Sequence, residues 1–309
     1  VERLGVNRLV AGIDGGQTST IALIADERGR VLARGTAGPA DEVGVDPTSQ
    51  RLAEAVCAAL DRARAAAGLP EATRFAATVA GISGFEGRIY GKEPQLATER
   101  LVLMHDAPIA HAGALAGEPG AIVVAGTGSV VYACNEKGES QTWGGWGYVF
   151  GDEGSAFRIA VEALALLMRA QDDDDRSHLA ETQVAKGFFD LESLRAIARA
   201  VYAGEISRAR LAAFAPLALG FGEAFRAIAE RGADRLAALA ARAMAFAAAP
   251  KVALIGGLFG DALLRAYLQR RIAELAPGAQ VVEPRYEPAA GALLLAYREL
   301  GLAAPELSP

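Results

Sequence analysis

The chain contains the same short unit twice, and this repeat constrains the fold more than any other feature. In the first copy, an apolar run at residues 9–13 meets a polar, glycine-rich turn at residues 14–18. A second apolar run at 21–25, a charged break and a third run at 31–34 complete the unit. Glycine turns between short apolar runs are typical of antiparallel strands. The sequence therefore predicts a three-stranded meander here.

The second copy begins about two fifths of the way along the chain. Its first apolar run, 121–125, precedes the turn Gly-Thr-Gly-Ser, and a second run follows at 130–134. A charged break leads to a third strand-like piece at 141–143. Because the parts share order and nearly share length, we predict two domains built on one duplicated unit. Two unrelated hairpins that both need glycine at their turns are the alternative.

The remaining patterns predict an α/β fold in which helices cover mixed sheets. A helix is expected to start at a cap on Asp46 and to end at Gly68. The acidic run at 172–175 is interpreted as a solvated loop rather than a metal site. The other expected elements are strands at 75–80, 101–104, 251–255 and 280–283, helices at 157–170, 211–248 and 288–300, and a loose tail at 303–309.

Composition excludes several classes of protein. The 309 residues are 52% hydrophobic and 22% charged, which suits a globular chain. Two cysteines, Cys57 and Cys134, are too few for a disulfide framework or a Cys-x-x-Cys metal site. A net charge of -6 disfavours nucleic acid as a partner. Residues 1–7 lack the pattern of a signal peptide, and Arg242 interrupts the apolar run at 236–249. We therefore expect a cytoplasmic protein without a membrane partner.

Both glycine turns have the composition of a phosphate-binding loop. Glycine lets backbone N–H groups approach a phosphate, and the hydroxyls of Thr18 and Thr127 add donors. Asp14, directly before the first turn, is a candidate Mg²⁺ ligand, either directly or through water. The chain contains neither a Walker pattern nor a dinucleotide fingerprint. The two turns together therefore predict a phosphate clamp, although hairpins alone also need glycine.

Two further places carry candidate chemistry. Asp106 follows an apolar strand, where it is equally a general base facing a cleft or the cap of a following helix. His105 beside it is interpreted as structural. The run at 143–155 combines aromatic rings, glycines and an Asp-Glu pair. Such a run suits a sugar, whose C–H face packs on rings while its hydroxyls bond to carboxylates. An aromatic turn before a helix is the structural alternative.

Five segments, in order, resemble the N-acetylglucosamine kinases. They are AGIDGGQTST, LVLMHDAPIAHAG, VVAGTGSV, GGWGYVFGDEGSAF and ALIGGLFG. These kinases belong to the sugar kinase/Hsc70/actin superfamily, in the BadF/BadG/BcrA/BcrD group that also contains the dehydratase activators. The resemblance covers nearly the whole chain. It implies an α/β, two-lobed, actin-like (ribonuclease H-like) fold with duplicated mixed sheets and an interlobe cleft.

The resemblance also implies a role for individual residues. Asp106 matches the catalytic aspartate, and Asp14 is associated with Mg²⁺ as the cofactor of ATP. The first phosphate loop would comprise Gly15, Gly16, Gln17 and Thr18, and the second Gly126, Thr127 and Gly128. Adenosine would lie at Gly256 and Gly257. The implied sugar contacts are Asp41, Asp106, Ser129, Val130, Gly145, Trp146, Gly147 and Asp152.

Two positions depart from the family pattern. Gln17 replaces the third glycine of the common first loop, which an outward side chain tolerates. Asp41 stands where many relatives carry an asparagine that contacts the sugar, and an anionic oxygen there would favour a free amine over an acetamide.

From these residues we expect an ATP-dependent kinase for the C6 hydroxyl of N-acetylglucosamine. A glucosamine kinase, or an ATPase that activates a partner protein, are the alternatives. The expected domains are 1–116 with the closing helix at 288–302, and 117–287. The arginine- and alanine-rich helices of the second domain leave a homodimer open.

Overall fold

The computed structural model describes residues 8–42 and 46–308. It divides into two compact units, Val1–Glu118 with Glu283–Pro309, and Pro119–Val282. The segment examined for a signal peptide and part of the loop after Asp41 lie outside the described residues. The domain boundaries expected from the sequence, at 116/117 and 287/288, stay a prediction beside this division.

Each unit contains one five-stranded sheet. In the first unit the strands are β1 Val10–Gly15, β2 Thr20–Ala25, β3 Val31–Ala37, β4 Ala77–Ile82 and β5 Leu101–His105. In the second they are β6 Gly120–Ala125, β7 Ser129–Cys134, β8 Ser140–Gly144, β9 Lys251–Ile255 and β10 Gln280–Val282.

The two sheets share one topology. The strand orders are β3-β2-β1-β4-β5 and β10-β9-β6-β7-β8. Read from the opposite edge, the second order is β8-β7-β6-β9-β10, which corresponds strand by strand to the first. In both sheets the first three strands are antiparallel, and the last two run parallel to the first. The predicted duplication is thereby confirmed.

Helices connect and cover the strands. The first unit contains α1 Arg51–Ala66, α2 Asp106–Ala114 and the closing helix α11 Pro288–Glu299. The second contains α3 Gly147–Phe150, α4 Ala156–Asp172, α5 Leu179–Phe189, α6 Leu194–Tyr202, α7 Arg208–Ala212, α8 Ala215–Leu219, α9 Glu223–Ala247 and α10 Ala262–Leu275, together with a 3-10 turn at Gly257–Gly260.

The first sheet is covered on both faces, because alternate side chains of a strand point to opposite sides. One face packs on α1, with Ile13 and Val56 in a common core. The other face packs on α11, with Val10 and Leu293 in a second core. Tyr297 of α11 is buried, and its hydroxyl donates a 2.5 Å hydrogen bond to the Asp26 carbonyl in the β2–β3 turn. The closing helix is therefore part of the first unit's core.

Glycines let α11 approach its neighbours backbone to backbone. A Cβ on Gly12 of β1 would lie 2.4 Å from the Ala289 carbonyl oxygen. A Cβ on Gly291 would lie 1.9 Å from the Ile109 carbonyl oxygen and 2.4 Å from the Gly113 nitrogen, both in α2. Any larger residue would separate these elements. Gly12 and Gly291 therefore fix the positions of β1 and α2, which carry Asp14 and Asp106.

Three expectations about the local structure are corrected. Helix α1 begins at Arg51 rather than near Asp46, because the Asp46 carboxylate accepts the Thr48 N–H at 2.8 Å in a turn of its own. The helix expected over 211–248 breaks into α7, α8 and α9, which are separated at residues 213–214 and 220–222. The tail is not loose over its whole length, since the Val31 N–H donates to the Ser308 carbonyl at 2.7 Å.

No single helix of the described chain is long and apolar enough to cross a membrane. One pair of segments, Arg208–Leu219 and Glu223–Ala247, meets the length and composition test together but is bent by 119°.

Replacement of Gly291 by alanine should destabilise the protein by about 3 kcal/mol, because the added methyl has only backbone atoms to displace. The matched control is Gly187→Ala in α5, where a Cβ meets nothing within 4 Å and alanine favours a helix. Urea denaturation of both variants provides the measurement. A Gly291→Ala protein as stable as the Gly187→Ala control would contradict this packing.

Candidate active site

Two carboxylates lie at the carboxyl ends of parallel strands in the first unit. Asp14 is the penultimate residue of β1, and Asp106 directly follows β5. In open α/β sheets, ligands bind outside the carboxyl ends of the strands. This edge of the sheet is therefore the first part of the candidate active site.

Asp14 is an acid held in an unfavourable environment. Burial, followed by the negative charges of Asp106 and Glu287, raises its pKa from 3.8 to about 7, against the opposing effect of Arg34. Arg34 of β3 forms an ion pair with Glu287, the residue before α11. The sequence analysis missed both Arg34 and Glu287, since neither lies in a glycine-rich motif. The surroundings of Asp14 therefore carry more negative than positive charge, which is typical of a cation-binding site.

The position of Asp106 in its helix tests the interpretation of this residue as a helix cap. Asp106 is the first residue of α2, and the cap position belongs to His105, whose Nδ1 lies 3.2 Å from the Ala107 nitrogen. The interpretation of Asp106 as the helix cap is therefore wrong. Its carboxylate Oδ1 lies 2.8 Å from Nδ1 of His105, so the purely structural role given to His105 is incomplete. The structure pairs this histidine with the candidate base.

The first glycine turn is short and held at both ends. The Gly16 N–H donates to the Ser19 carbonyl at 3.0 Å, which closes the turn. The Gly16 carbonyl accepts the Ala40 N–H at 3.0 Å, and the Gly15 carbonyl accepts the Ser83 N–H at 2.9 Å. Two loop carbonyls are thus engaged by neighbouring segments of the same unit. Thr18 at the tip is exposed, while Gln17 is half-buried rather than fully outward as expected.

The second glycine turn is anchored by a helix. The Gly126 carbonyl accepts the Ala156 N–H at 2.9 Å, and the Thr127 carbonyl accepts the Phe157 N–H at 3.4 Å. Both donors belong to the first turn of α4, which lacks helical partners for its N–H groups. The carbonyls of this loop are therefore directed at the helix, which is compatible with amides directed at an anion.

Gly256 brings the candidate adenosine turn to the second phosphate loop. Gly256 directly follows β9 and has a positive φ of 120°. A Cβ on this residue would lie 2.2 Å from the Ala125 carbonyl oxygen. Ala125 directly precedes Gly126. Gly257 then opens a 3-10 turn before α10. Two of the predicted nucleotide segments are thus neighbours within the second unit.

The structure also gathers most of the sugar-contact candidates of the second unit. The Ser129 N–H donates to Asp152 Oδ1 at 3.2 Å, and the Ser129 hydroxyl donates to the Glu153 carbonyl at 2.8 Å. Val130 contacts Gly145, where a Cβ would lie 3.1 Å from its side chain. Asp152 is buried, yet it adopts a left-handed φ of 61°. Strain of this kind at a buried carboxylate is common at functional sites.

Arg208 is the counterion of Asp152 and was missed by the sequence analysis. Its Nη2 lies 2.9 Å from Asp152 Oδ2, and its guanidinium lies 4.9 Å from the ring centroid of Tyr148. Burial raises the pKa of Asp152, while the Ser129 N–H and Arg208 act in the opposite direction. The two residues are 56 positions apart, so no local pattern connects them.

The aromatic segment between Gly145 and Asp152 is largely exposed. It forms the short helix α3, with the side chains of Trp146 and Phe150 exposed by 75% and 86%. Gly147, at the start of α3, has a φ of 76°. Arg158 of α4 holds this segment by donating to the carbonyls of Tyr148 and Gly151. An exposed ring held by its backbone is available to a ligand.

Asp41 lies in the first unit beside a second buried acid. Its Oδ1 lies 3.3 Å from Nη2 of Arg51. Glu42 is 3% exposed; its Oε2 accepts the Tyr90 N–H at 2.7 Å, and its Oε1 has no hydrogen-bond partner among the described residues. The sequence analysis missed Glu42. A buried carboxylate oxygen such as Glu42 Oε1 favours a ligand that carries a hydrogen-bond donor.

Two sheets of one topology, each with a glycine turn after its first strand, define the class of actin-like α/β proteins. A model of the BadF/BadG/BcrA/BcrD ATPase family matches residues 11–296. The chain belongs to this family.

Three relatives are similar to the chain. It is 31% identical over 113 residues to an N-acetylmuramic acid/N-acetylglucosamine kinase of Clostridium acetobutylicum, covering 37% of each chain. It is 29% identical over 175 residues to an N-acetyl-D-glucosamine kinase of Dictyostelium discoideum, covering 52% of this chain and 54% of that one. The chain thus spans about half or less of these two curated relatives. A solved structure from Chromobacterium violaceum, provisionally named an N-acetylglucosamine kinase, matches with a TM-score of 0.77 and 29% identity, covering 94% of this chain and 99% of that one.

Asp14→Asn should stabilise the metal-free protein, and the gain should grow as pH rises. Because the pKa of Asp14 is raised from 3.8 to about 7 in the folded protein, the unfolded chain loses this proton at lower pH than the folded protein does, and wild-type stability falls as pH rises through this interval. The gain at neutral pH should reach up to about 4 kcal/mol. Urea denaturation from pH 4 to 8 in a chelator, with Asp173→Asn as the exposed control, measures it. A gain that does not change with pH would contradict this account.

Arg208→Met should destabilise the protein by about 3 kcal/mol at neutral pH, because it leaves the buried Asp152 without its cation. The loss should shrink as pH falls and the carboxyl becomes protonated. Arg195→Met, at an exposed position of α6, is the control. Thermal unfolding at several pH values provides the measurement, and an equal loss at every pH would contradict the ion pair's role.

Proposed function

We propose that the protein is an ATP-dependent kinase that phosphorylates the C6 hydroxyl of N-acetylglucosamine. The observation that carries this proposal is the 94% coverage of the chain, at 29% identity, by a structure provisionally named an N-acetylglucosamine kinase. Both curated relatives are also named as kinases of this sugar. The arrangement within each unit supports it, since the predicted phosphate loops are glycine turns that follow a first strand and the predicted base lies at the carboxyl end of β5.

In this mechanism, the backbone amides of two loops bind the phosphates of ATP. Gly15–Thr18 and Gly126–Gly128 form these loops, while Gly256 and Gly257 receive the adenosine. Preorganised amides stabilise negative charge that develops on the transferred phosphoryl oxygens. The contacts of the second loop with α4 hold its amides in place without help from the nucleotide.

Asp106 is the general base of the proposed reaction. A carboxylate at the carboxyl end of β5 and the start of α2 has a fixed backbone and a side chain that is 32% exposed. It accepts the proton of the C6 hydroxyl while the hydroxyl oxygen forms its bond to the γ-phosphorus and the bond to ADP breaks. Asp152, Ser129, Val130, Gly145, Trp146 and Gly147 bind the sugar in the second unit, and Asp41 in the first.

A magnesium ion fits the residues around Asp14. The buried carboxylate has two acidic neighbours, Asp106 and Glu287, whose charges a divalent cation would compensate. No group of three metal-ligating side chains occurs in the described chain, which suits an ion held by one carboxylate, water and phosphates. Bound there, Mg²⁺ would neutralise charge on the phosphates of ATP.

Glucosamine is the second candidate substrate. Asp41 and Glu42 are both buried, and Arg51 contacts Asp41. An additional negative charge there attracts the ammonium group of glucosamine more strongly than a neutral acetamide. The proposal therefore distinguishes two amino sugars by the substituent at C2.

The direct test measures ADP release with ATP, Mg²⁺ and single sugars: N-acetylglucosamine, glucosamine, N-acetylmuramic acid and glucose. We expect the highest kcat/KM with N-acetylglucosamine and identify the 6-phosphate by NMR. A higher value with glucosamine would favour the second candidate. ADP release without any sugar would indicate a partner-activating ATPase, and no release with any sugar would overturn the kinase assignment.

Asp106→Asn should lower kcat by about 10²–10⁴-fold, the usual contribution of a general base, while the protein still folds and binds ATP. Asp173→Asn, which changes an exposed aspartate to the same amide, is the matched control. Steady-state kinetics and nucleotide titration provide the measurements. Turnover of the Asp106→Asn enzyme close to that of the control would remove the base assignment.

A further inference from the structure

We propose that His105 is a positioning residue for Asp106: the Nδ1 proton of His105 holds Oδ1 of the carboxylate and thereby directs Oδ2 toward the hydroxyl that is phosphorylated. This inference rests on the proposed function, since it concerns the base of that reaction. It adds a residue that the family resemblance did not assign.

The geometry requires Nδ1 to choose between two partners. Nδ1 lies 2.8 Å from Asp106 Oδ1 and 3.2 Å from the Ala107 nitrogen. It would have to donate to the carboxylate but accept from the amide, and one ring nitrogen cannot do both. Without a proton on Nδ1, two lone pairs would face each other at 2.8 Å. The short contact with Asp106 therefore assigns a proton to Nδ1.

The surroundings of His105 support this protonation state. The charged groups that face it are Asp106 and Glu86, and its neighbour across the sheet is Ile82 of β4. Burial lowers the pKa of His105, but the hydrogen bond to Asp106 and the two negative charges outweigh burial and raise the pKa above 6.5. The raised pKa favours the donating form of the imidazole over the helix-capping form, in which Nδ1 accepts.

The two forms have different consequences for Asp106. When Nδ1 donates, Oδ1 is fixed and Oδ2 is the oxygen left to accept a proton. When Nδ1 instead accepts the Ala107 N–H, the carboxylate loses its partner and can rotate. During the reaction, the sugar proton goes to Oδ2, the hydroxyl oxygen bonds to phosphorus and ADP leaves. His105 keeps its own proton throughout.

Capping of α2 is the structural role from which positioning must be separated. His105→Ala removes both the cap and the donor. His105→Asn keeps both, since asparagine is a favoured N-cap and its amide carries a donor at the δ position, but it does not titrate. A role in capping alone predicts that His105→Ala loses about 1 kcal/mol of stability and keeps its kcat.

The first experiment does not depend on catalysis. The chain has three histidines, His105, His111 and His178, so imidazole resonances can be followed individually by NMR. We expect one histidine to titrate above pH 6.5, to disappear in His105→Asn, and to titrate at lower pH in Asp106→Asn. An unchanged His105 titration in Asp106→Asn would overturn the pairing.

The second experiment measures kinetics. His105→Ala should lose up to about 100-fold in kcat, while the KM values for ATP and sugar change less than about 3-fold. His105→Asn should recover most of the kcat. The kcat of wild type should fall partly as the pH rises through the pKa of His105, and the kcat of His105→Asn should not show this fall. His178→Asn is the control.

Wild-type kcat in His105→Ala, with only a lower Tm, would overturn the proposal. Failure of the proposed function would instead appear as an inactive wild-type protein, with the NMR result unaffected.

Discussion

The close approach of α11 to β1 and α2 is the constraint on which the first unit depends. Gly12 and Gly291 permit backbone contacts that no side chain larger than hydrogen would allow. Because α11 comes from the end of the chain, these contacts return residue 287 and its neighbours to the first sheet. Glu287 is thereby placed near Asp14, and α2 is held so that Asp106 opens its first turn. Packing at these two glycines thus determines where Asp14, Asp106 and Glu287 lie.

The same packing creates an electrostatic cost. Asp14 is buried beside two other carboxylates, so its ionised form is unfavourable in the absence of a cation, and its pKa is raised to about 7. If Asp14 served only the folding of the protein, an asparagine in its place would give a more stable protein. A site that must bind a metal-nucleotide needs the charge. The unfavourable pKa is therefore consistent with function and difficult to explain by folding alone.

Local signals in the sequence predicted the strands and turns closely, while contacts between distant residues were not predictable. β9 has the expected bounds, and β1, β2 and β7 differ by one or two residues, because apolar runs next to glycine turns mark strand ends. The start of α1 was predicted too early, because Asp46 forms a turn with Thr48 and an aspartate does this as readily as it caps a helix. The Arg208–Asp152 and Arg34–Glu287 pairs depend on the packing of whole elements, which periodicity does not encode.

Comparison of the two sheets shows how the duplicated unit diverged. In the strand pairing, Asp14 is the second-last residue of β1 and faces Ile21, while Val124 holds the same place in β6 and faces Val130. The second unit therefore has no acid at the position of Asp14. Its buried carboxylate is Asp152, which follows the third strand instead and is already paired with Arg208 and the Ser129 N–H. The glycine turn is therefore common to both copies, whereas the acid at the end of the first strand occurs only in the first copy.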